Sequence, residues 1–126
     1  MPPTENPSAA RAVRARFRLR VARGEDIAIG PGKVALLEAV RDEGSITRAA
    51  QAMGMSYRRA WLLLDEMNRT LRRPVTASTQ GGPRGGGSLL TPEGERLVEL
   101  YRDIERRAEQ ACAEQLAALV GLVARA

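Results

Sequence analysis

The sequence contains no histidine and a single cysteine, Cys112. It therefore cannot build a zinc finger, a Ser-His-Asp or Cys-His catalytic site, or a disulfide framework. Carboxylates such as Asp65 and Glu66 are present, but adjacent helical residues point apart and indicate no cleft. We predict no enzyme, no catalytic residue, no metal and no cofactor. Cys112 is assigned no function, because a lone cysteine is usually a reduced, half-buried small residue.

Aromatic residues and long apolar runs are scarce as well. One Phe, one Trp and two Tyr are too few for the base-stacking surfaces that bind RNA or single-stranded DNA. The longest apolar runs, at 60–64 and 116–120, are far shorter than the roughly 20 residues that cross a membrane. Residues 1–15 show no apolar stretch of the secretory type. We expect a cytoplasmic protein without membrane contact, with residues 1–15 as a flexible tail.

Arginine, in contrast, is abundant. The chain has 20 basic and 15 acidic residues, a net charge of +5, and every basic residue except Lys33 is arginine. The excess is concentrated between residues 44 and 91, where seven basic residues stand against two acidic ones, whereas 92–126 is mildly acidic. This partition indicates that the middle of the chain meets a polyanion and that the last third has another role.

The first periodic segments are a strand and a helix. Arginines alternate with apolar residues from Phe17 to Val21, and further apolar residues follow Gly24, which predicts a strand or a hairpin. These arginines could extend a phosphate-binding surface, but such residues more often only solvate the edge of a sheet, so we assign them no contact. Helical spacing then begins at Val34 and ends at Gly44.

A short helix, a glycine turn and a longer helix follow. Ser45 is the expected N-cap of the short helix, which ends at Gly54 after two turns. Ser56 is the expected N-cap of the next helix, which runs to Leu71 without proline or glycine. This succession is typical of a helix-turn-helix.

Next come a glycine-rich hairpin and a long helix. Strand patterns at 75–79 and 88–90 flank the glycines, which predicts a wing rather than a nucleotide-binding loop. Thr91 and Pro92 then begin a helix that we expect to continue to about Val123. Its apolar stripe has coiled-coil spacing and would extend beyond the small core, which predicts a homodimer. The predicted dimer interface comprises Leu97, Tyr101, Ile104, Ala108, Ala111 and Leu122.

The second helix of such a motif enters the major groove, where arginine can pair with guanine. We expect Arg58 and Arg59 to read bases there, while Trp61 belongs to the core. Arg84 in the wing is expected to meet the minor groove or the backbone. The residues predicted to contact double-stranded DNA are Arg48, Ser56, Tyr57, Arg58, Arg59, Arg69, Arg72, Arg73 and Arg84, although a solvated charged face would show the same pattern.

Several of these segments are characteristic in combination: 30–40, 44–46 with Ala49 and Ala50, 53–61, 65–68, the glycine-rich wing and 90–94. Together they resemble the amino-terminal winged-helix domain of ModE-type molybdate-dependent transcriptional regulators, over about residues 17–107. The most specific part is Met55–Trp61 with the wing, because the Gly-Ser-Ile and Ala-Ala element also occurs in many LysR-like helix-turn-helix proteins. The resemblance implies a bacterial, dimeric DNA-binding regulator whose long helix carries much of the dimer contact.

ModE-type regulators usually continue into all-β molybdate-binding domains, which no segment of this sequence resembles. The resemblance therefore implies DNA binding only. The predicted fold is mainly α with a small β component: a tail at 1–15, a winged helix-turn-helix domain at 16–91 and a long dimerisation helix at 92–126. The alternative function is a protein-interaction module whose long helix pairs with a separate sensor or partner chain.

Overall fold

The computed structural model describes residues 12–79 and 87–124. The predicted tail up to residue 11 and the tip of the wing, with Arg84, lie outside the described residues. Within the described ranges the elements are, in chain order, β1 (Val21–Arg23), β2 (Asp26–Ile29), α1 (Pro31–Glu43), α2 (Ile46–Met53), α3 (Tyr57–Thr70), β3 (Thr76–Ser78), β4 (Ser88–Leu90), α4 (Pro92–Ala111) and α5 (Ala113–Val120). The predicted fold class, a winged helix-turn-helix with a long carboxyl-terminal helix, is confirmed.

The chain divides into two compact units, and the boundary falls within α4. One unit spans Arg18–Asp103 and contains the helix-turn-helix and the arms of the wing. The described residues 12–17 and 104–124 belong to the other unit. In the described part of the chain, no helix combines the length and the apolar character that a membrane span requires.

β1 and β2 form the predicted antiparallel hairpin, but the strand begins later than the sequence pattern predicts. The alternation starts at Phe17, whereas β1 begins at Val21 and residues 12–20 have no regular secondary structure. The backbone carbonyl of Leu19 accepts a hydrogen bond from the hydroxyl of Tyr101 at 2.8 Å. The segment before β1 is therefore bound to α4 by this tertiary hydrogen bond, although the alternating pattern predicted that it would pair as a β-strand.

Local capping sets the limits of the first three helices. The hydroxyls of Ser45 and Ser56 each accept a hydrogen bond, at 3.1 Å, from the backbone N–H three residues further on. Gly44 and Gly54 end α1 and α2 with φ values of 75° and 67°, a conformation that side chains disfavour. The predicted caps and stops are confirmed at all four positions.

One core joins the three helices to the wing and α4. α1 lies at its centre, where it packs against α2, α3 and β4. Each of these elements contributes apolar side chains to the core. Removing any one element would therefore expose apolar side chains of the others to water. The buried residues are Val34, Leu36, Leu37, Val40, Ala49, Ala50, Ala60, Leu64, Met67, Val75, Leu90, Val98 and Tyr101.

Trp61 is the exception to the predicted core. Ala60, Leu64 and Met67 are buried as expected, but Trp61 is 45% exposed. α3 buries only one face, that of Ala60, Leu64 and Met67, and the turn of about 100° per residue places Trp61 beside this face rather than on it. The prediction that Trp61 belongs to the core was therefore wrong.

The arms of the wing are tied to two helices. β3 and β4 pair antiparallel, as predicted. The side-chain carbonyl of Asn68 in α3 accepts from the backbone N–H of Val75 at 2.8 Å, and its amide donates to the hydroxyl of Thr76 at 2.9 Å. The backbone N–H of Ser88 donates to the carbonyl of Gly44, at the end of α1, at 2.9 Å. Both arms therefore have a fixed position on the helical core.

α4 begins where the sequence predicts but ends early. The Thr91 hydroxyl accepts from the N–H of Gly94 at 3.1 Å and donates to the carbonyl of Pro74 at 2.7 Å. The predicted single helix to Val123 is wrong, because α4 stops at Ala111 and α5 stops at Val120. Cys112, between them, has φ −111° and ψ 17°. No proline or glycine marks this interruption, so the sequence carries no signal for it.

Candidate nucleic-acid interface

The first turn of α3 presents a polar, basic surface to solvent. The N-cap hydroxyl of Ser56 accepts from the backbone of Arg59, so this serine fixes where the helix begins. Tyr57 is 53% exposed, and Arg58 and Arg59 are exposed beside it. The backbone N–H groups of a helix N-terminus add a partial positive charge to the same surface. The electrostatics of this turn suit an anionic ligand.

The arginines predicted to bind DNA fall into two groups according to their ion pairs. Among the described residues, the side chains of Arg48, Arg58, Arg59 and Arg72 have no hydrogen-bond or ion-pair partner. The Arg69 Nε lies 2.9 Å from Asp65 Oδ2, and the Arg73 Nη1 lies 3.8 Å from Glu93 Oε1. The charges of Arg69 and Arg73 are therefore partly neutralised within the chain. The predicted contact Arg84 lies outside the described residues.

Two further exposed side chains of α3 were missed by the sequence analysis. Trp61 lies one helical turn beyond Tyr57 on the same face, and Leu62 is 46% exposed. The signal that could have found them is the buried stripe itself, which leaves the positions next to it exposed. An apolar contact to the methyl group of thymine is one use of such residues in a major groove.

Open depressions lie along one side of α3. A groove of about 490 Å³ is lined by residues from Ser56 to Glu66, among them Arg58 and Arg59. A second cavity, of about 240 Å³, shares Arg59 with the groove and also includes Arg18 and Arg20. The sequence analysis assigned no contact to Arg18 and Arg20. The structure thus brings two arginines from the segment before β1 to the same surface as the first turn of α3.

The residues predicted for the dimer interface differ in their exposure to solvent. Tyr101 is 3% exposed and Leu97 packs against the core of its own chain. Ile104 is 48% and Leu122 81% exposed. Ala111 is exposed and Ala108 half-buried. The stripe therefore serves its own core at one end and presents apolar surface at the other.

Other charged groups stabilise the fold. Arg102 forms an ion pair with Glu38 that connects α4 to α1, and its Nε lies 3.1 Å from Glu38 Oε2. The hydrogen bond with Asp42 raises the pKa of Arg41, which is charged at neutral pH in any case. Within residues 12–79 and 87–124, no group of three acidic or cysteine side chains could hold a metal ion.

The geometry defines a class of protein. α2, the turn at Gly54 and α3 form a helix-turn-helix, and β3 and β4 form the arms of a wing that follows it. The family model of bacterial regulatory helix-turn-helix proteins of the lysR family matches residues 32–95, about half of the chain. The chain belongs to this family.

Curated relatives of the chain include several ModE proteins. "Molybdenum transport protein ModE" of Azotobacter vinelandii is 40% identical over 92 residues, which are 71% of this chain and 34% of that protein. "Molybdenum-pterin-binding protein MopB" of Rhodobacter capsulatus is 46% identical over 77 residues, 61% of this chain and 28% of that protein. "DNA-binding transcriptional dual regulator ModE" of Escherichia coli is 38% identical over 71 residues, which are 56% of this chain and 27% of that protein.

The chain thus spans about a third or less of the length of these relatives. The resemblance to the winged-helix domain of ModE-type regulators, predicted from the sequence, is confirmed.

Proposed function

We propose that the chain is a transcriptional regulator that binds double-stranded DNA through α3. The observation that carries the proposal is the first turn of α3, where Arg58 and Arg59 are exposed and their guanidinium groups have no partner among the described residues. In a helix-turn-helix this turn meets the base edges of the major groove. An arginine there can donate two hydrogen bonds to O6 and N7 of guanine.

The proposed phosphate contacts lie at other points of the motif. Arg48 in α2 and Arg72 after α3 are exposed and have guanidinium groups that are free within the described residues. Arg69 and Arg73 also belong to the proposed interface, but each would first have to leave a carboxylate. We expect smaller contributions from these two. Arg84 is proposed to meet the minor groove or the backbone, from the sequence alone.

Selection of bound duplexes from a random library, followed by affinity measurements, tests this proposal. Arg58→Ala or Arg59→Ala should cost about 1–3 kcal/mol on the selected sequence and relax the preference at one base pair. Arg72→Ala should weaken binding to every sequence alike and lower the salt slope by about one. Arg96→Ala, exposed on α4, is a control with the same loss of charge.

Two results would contradict the proposal. If no duplex is enriched, the chain does not bind DNA specifically. If Arg58→Ala, Arg59→Ala and Arg72→Ala lose the same affinity on all sequences, the division between base and phosphate contacts is wrong.

The regulator is further proposed to be a homodimer joined through its carboxyl-terminal helices. Ile104 and Leu122 are large apolar residues that a single chain leaves exposed. Ile104, Ala108 and Ala111 follow the spacing by which two helices bury a shared stripe, whereas Leu122 lies beyond the end of α5. Leu97 and Tyr101 are already used by their own core. The interface proposed here therefore begins at Ile104.

Sedimentation of the purified chain tests the dimer. Ile104→Glu and Leu122→Glu should each shift the chain toward a monomer, because a buried charge opposes the contact. Gln110→Glu, at an exposed position outside the stripe, is the matched control. A dimer with two-fold symmetry should protect an inverted repeat whose half-sites lie one or two helical turns apart, each about 34 Å.

A monomer that protects a single asymmetric site would contradict the dimer. A monomer that ignores duplex DNA altogether would favour the alternative, in which the long helix pairs with a separate partner chain.

A further inference from the structure

A basic cavity lies next to the first turn of α3, which we propose to read the bases. Its volume is about 240 Å³, and it is lined by Arg18 and Arg20 from the segment before β1, by Arg59 from α3 and by the start of α1. All of these residues belong to the unit Arg18–Asp103. Two segments far apart in sequence, the one before β1 and the first turn of α3, thus bring three arginine residues to one depression.

None of the three arginine side chains of this cavity is engaged by another described residue. Arg18, Arg20 and Arg59 are exposed, and no described residue forms a hydrogen bond or an ion pair with their side chains. The other basic group of the cavity, Lys33, is already engaged by the backbone carbonyl of Ile27 and by Glu66 Oε1, at 3.3 Å. Positive side chains that line one cavity without counter-ions repel one another, and an anionic ligand would relieve this repulsion.

The backbone around the cavity strengthens the positive potential. α1 begins there, and its N-cap residue is Gly30, which has no side chain to accept hydrogen bonds from the first turn. The aliphatic stem of Arg20 lies over this N-terminus: a methyl group on Gly30 would be 3.8 Å from Arg20 Cγ. The arginines, and not the helix end alone, define the site.

The cavity continues into the groove of α3. Arg59 and Leu63 line both depressions. A DNA strand whose bases are read by the first turn of α3 has its phosphates a short distance to the side. The ligand that fits both the charge and this continuity is the sugar-phosphate backbone of the same duplex.

We propose that Arg18 and Arg20 bind backbone phosphates that flank the major groove occupied by α3, so that the segment before β1 is part of the DNA interface. The inference rests on the proposed function, because it needs a duplex docked on α3. Arg59 lines both depressions, and its backbone N–H donates to the cap hydroxyl of Ser56.

The test measures the affinity of the full chain for its selected duplex at several salt concentrations. Arg18→Ala/Arg20→Ala should lower the affinity roughly tenfold or more. The slope of log K against log salt should fall by about 1.8, since each lost phosphate contact removes about 0.9. Arg23→Ala/Arg96→Ala removes the same charge at two exposed positions outside the cavity and should change the slope much less.

A conservative variant separates the contact from a structural role. Arg18→Lys/Arg20→Lys keeps the charges and should retain most of the affinity. The ratio of affinities for the selected and a scrambled duplex should stay unchanged in both double variants, because phosphates carry no sequence information.

The experiments distinguish failure of the proposed function from failure of this inference. Wild-type chain that binds no duplex overturns the proposed function and this inference together. Wild-type binding with an unchanged slope in Arg18→Ala/Arg20→Ala, or with equal losses in the Arg23→Ala/Arg96→Ala control, overturns this inference alone. The same holds if inorganic phosphate binds the cavity at constant ionic strength while the alanine variant keeps its DNA affinity, because the site then serves a free anion.

Discussion

Gly94 shows how closely α4 and the wing approach each other. It is buried in the first turn of α4, and a Cβ atom at this position would lie 2.1 Å from the backbone carbonyl oxygen of Val75. A backbone carbonyl oxygen cannot swing aside as the end of a flexible side chain can. The residue at position 94 therefore limits the distance between α4 and the chain just before β3.

Gly94→Ala should lower the free energy of unfolding by about 1–3 kcal/mol or more, because helix and strand must separate to admit a methyl group. Urea unfolding measures this change. Gly32→Ala is the control: a Cβ there meets nothing within 4 Å, and alanine in an open helical position should leave stability equal or slightly higher. Equal losses in both variants would contradict the close approach.

Trp61 is the only tryptophan of the chain, so its fluorescence reports on one position of α3. It is 45% exposed without DNA. If the face shared with Tyr57 docks in the major groove, the duplex should shield the indole. We expect acrylamide to quench Trp61 less in the complex than in the free chain, at constant salt. Unchanged quenching with saturating duplex would show that this face lies away from the DNA.

At the scale of elements, the helix-turn-helix depends on its caps. Ser45→Ala and Ser56→Ala should each lower the free energy of unfolding by about 1 kcal/mol, within a range of roughly 0.5–2. Thermal or urea unfolding gives the measurement. Ser78→Ala in β3, which is exposed, should change stability by less than about 0.5 kcal/mol. A loss in Ser78→Ala as large as in the two cap variants would contradict the capping role.

The elements that the sequence predicted correctly are those that local chemistry determines. Ser45, Gly54 and Ser56 act on backbone groups within four residues, so α2 and α3 begin and end as expected. The start of β1 depends instead on Tyr101, which is distant in sequence. No local rule could identify that partner. The interruption at Cys112 likewise has no local breaker, so a continuous helix was the natural expectation.

The sequence predicted the two exposed arginines in the first turn of α3. It did not predict the arginines of the segment before β1 that lie beside them. Arg58 and Arg59 follow from their place after an N-cap. Arg18 and Arg20 could not be assigned, because alternation with apolar residues describes a solvated sheet edge equally well. The cavity that Arg18 and Arg20 share with Arg59 supports the phosphate contact that we propose, and this neighbourhood cannot be derived from the sequence pattern.

At the scale of the whole molecule, the charge of the chain is insensitive to pH near neutrality. With no histidine, no side chain has an unperturbed pKa between about 5 and 8. The affinity for duplex at constant ionic strength should therefore change by less than about twofold from about pH 6 to pH 7. Fluorescence anisotropy of a labelled duplex measures it. A steep dependence in this range would require a group with a strongly shifted pKa at the interface.

Asn68 connects the end of α3 to the first arm of the wing through its two hydrogen bonds to Val75 and Thr76. Because Ser88 fixes the second arm to α1, the two described arms cannot swing independently of α3. A duplex read by both would need a set spacing between its two contacted regions. One inserted base pair would shift them by about 3.4 Å and rotate them by roughly 35°, and the protein could not follow.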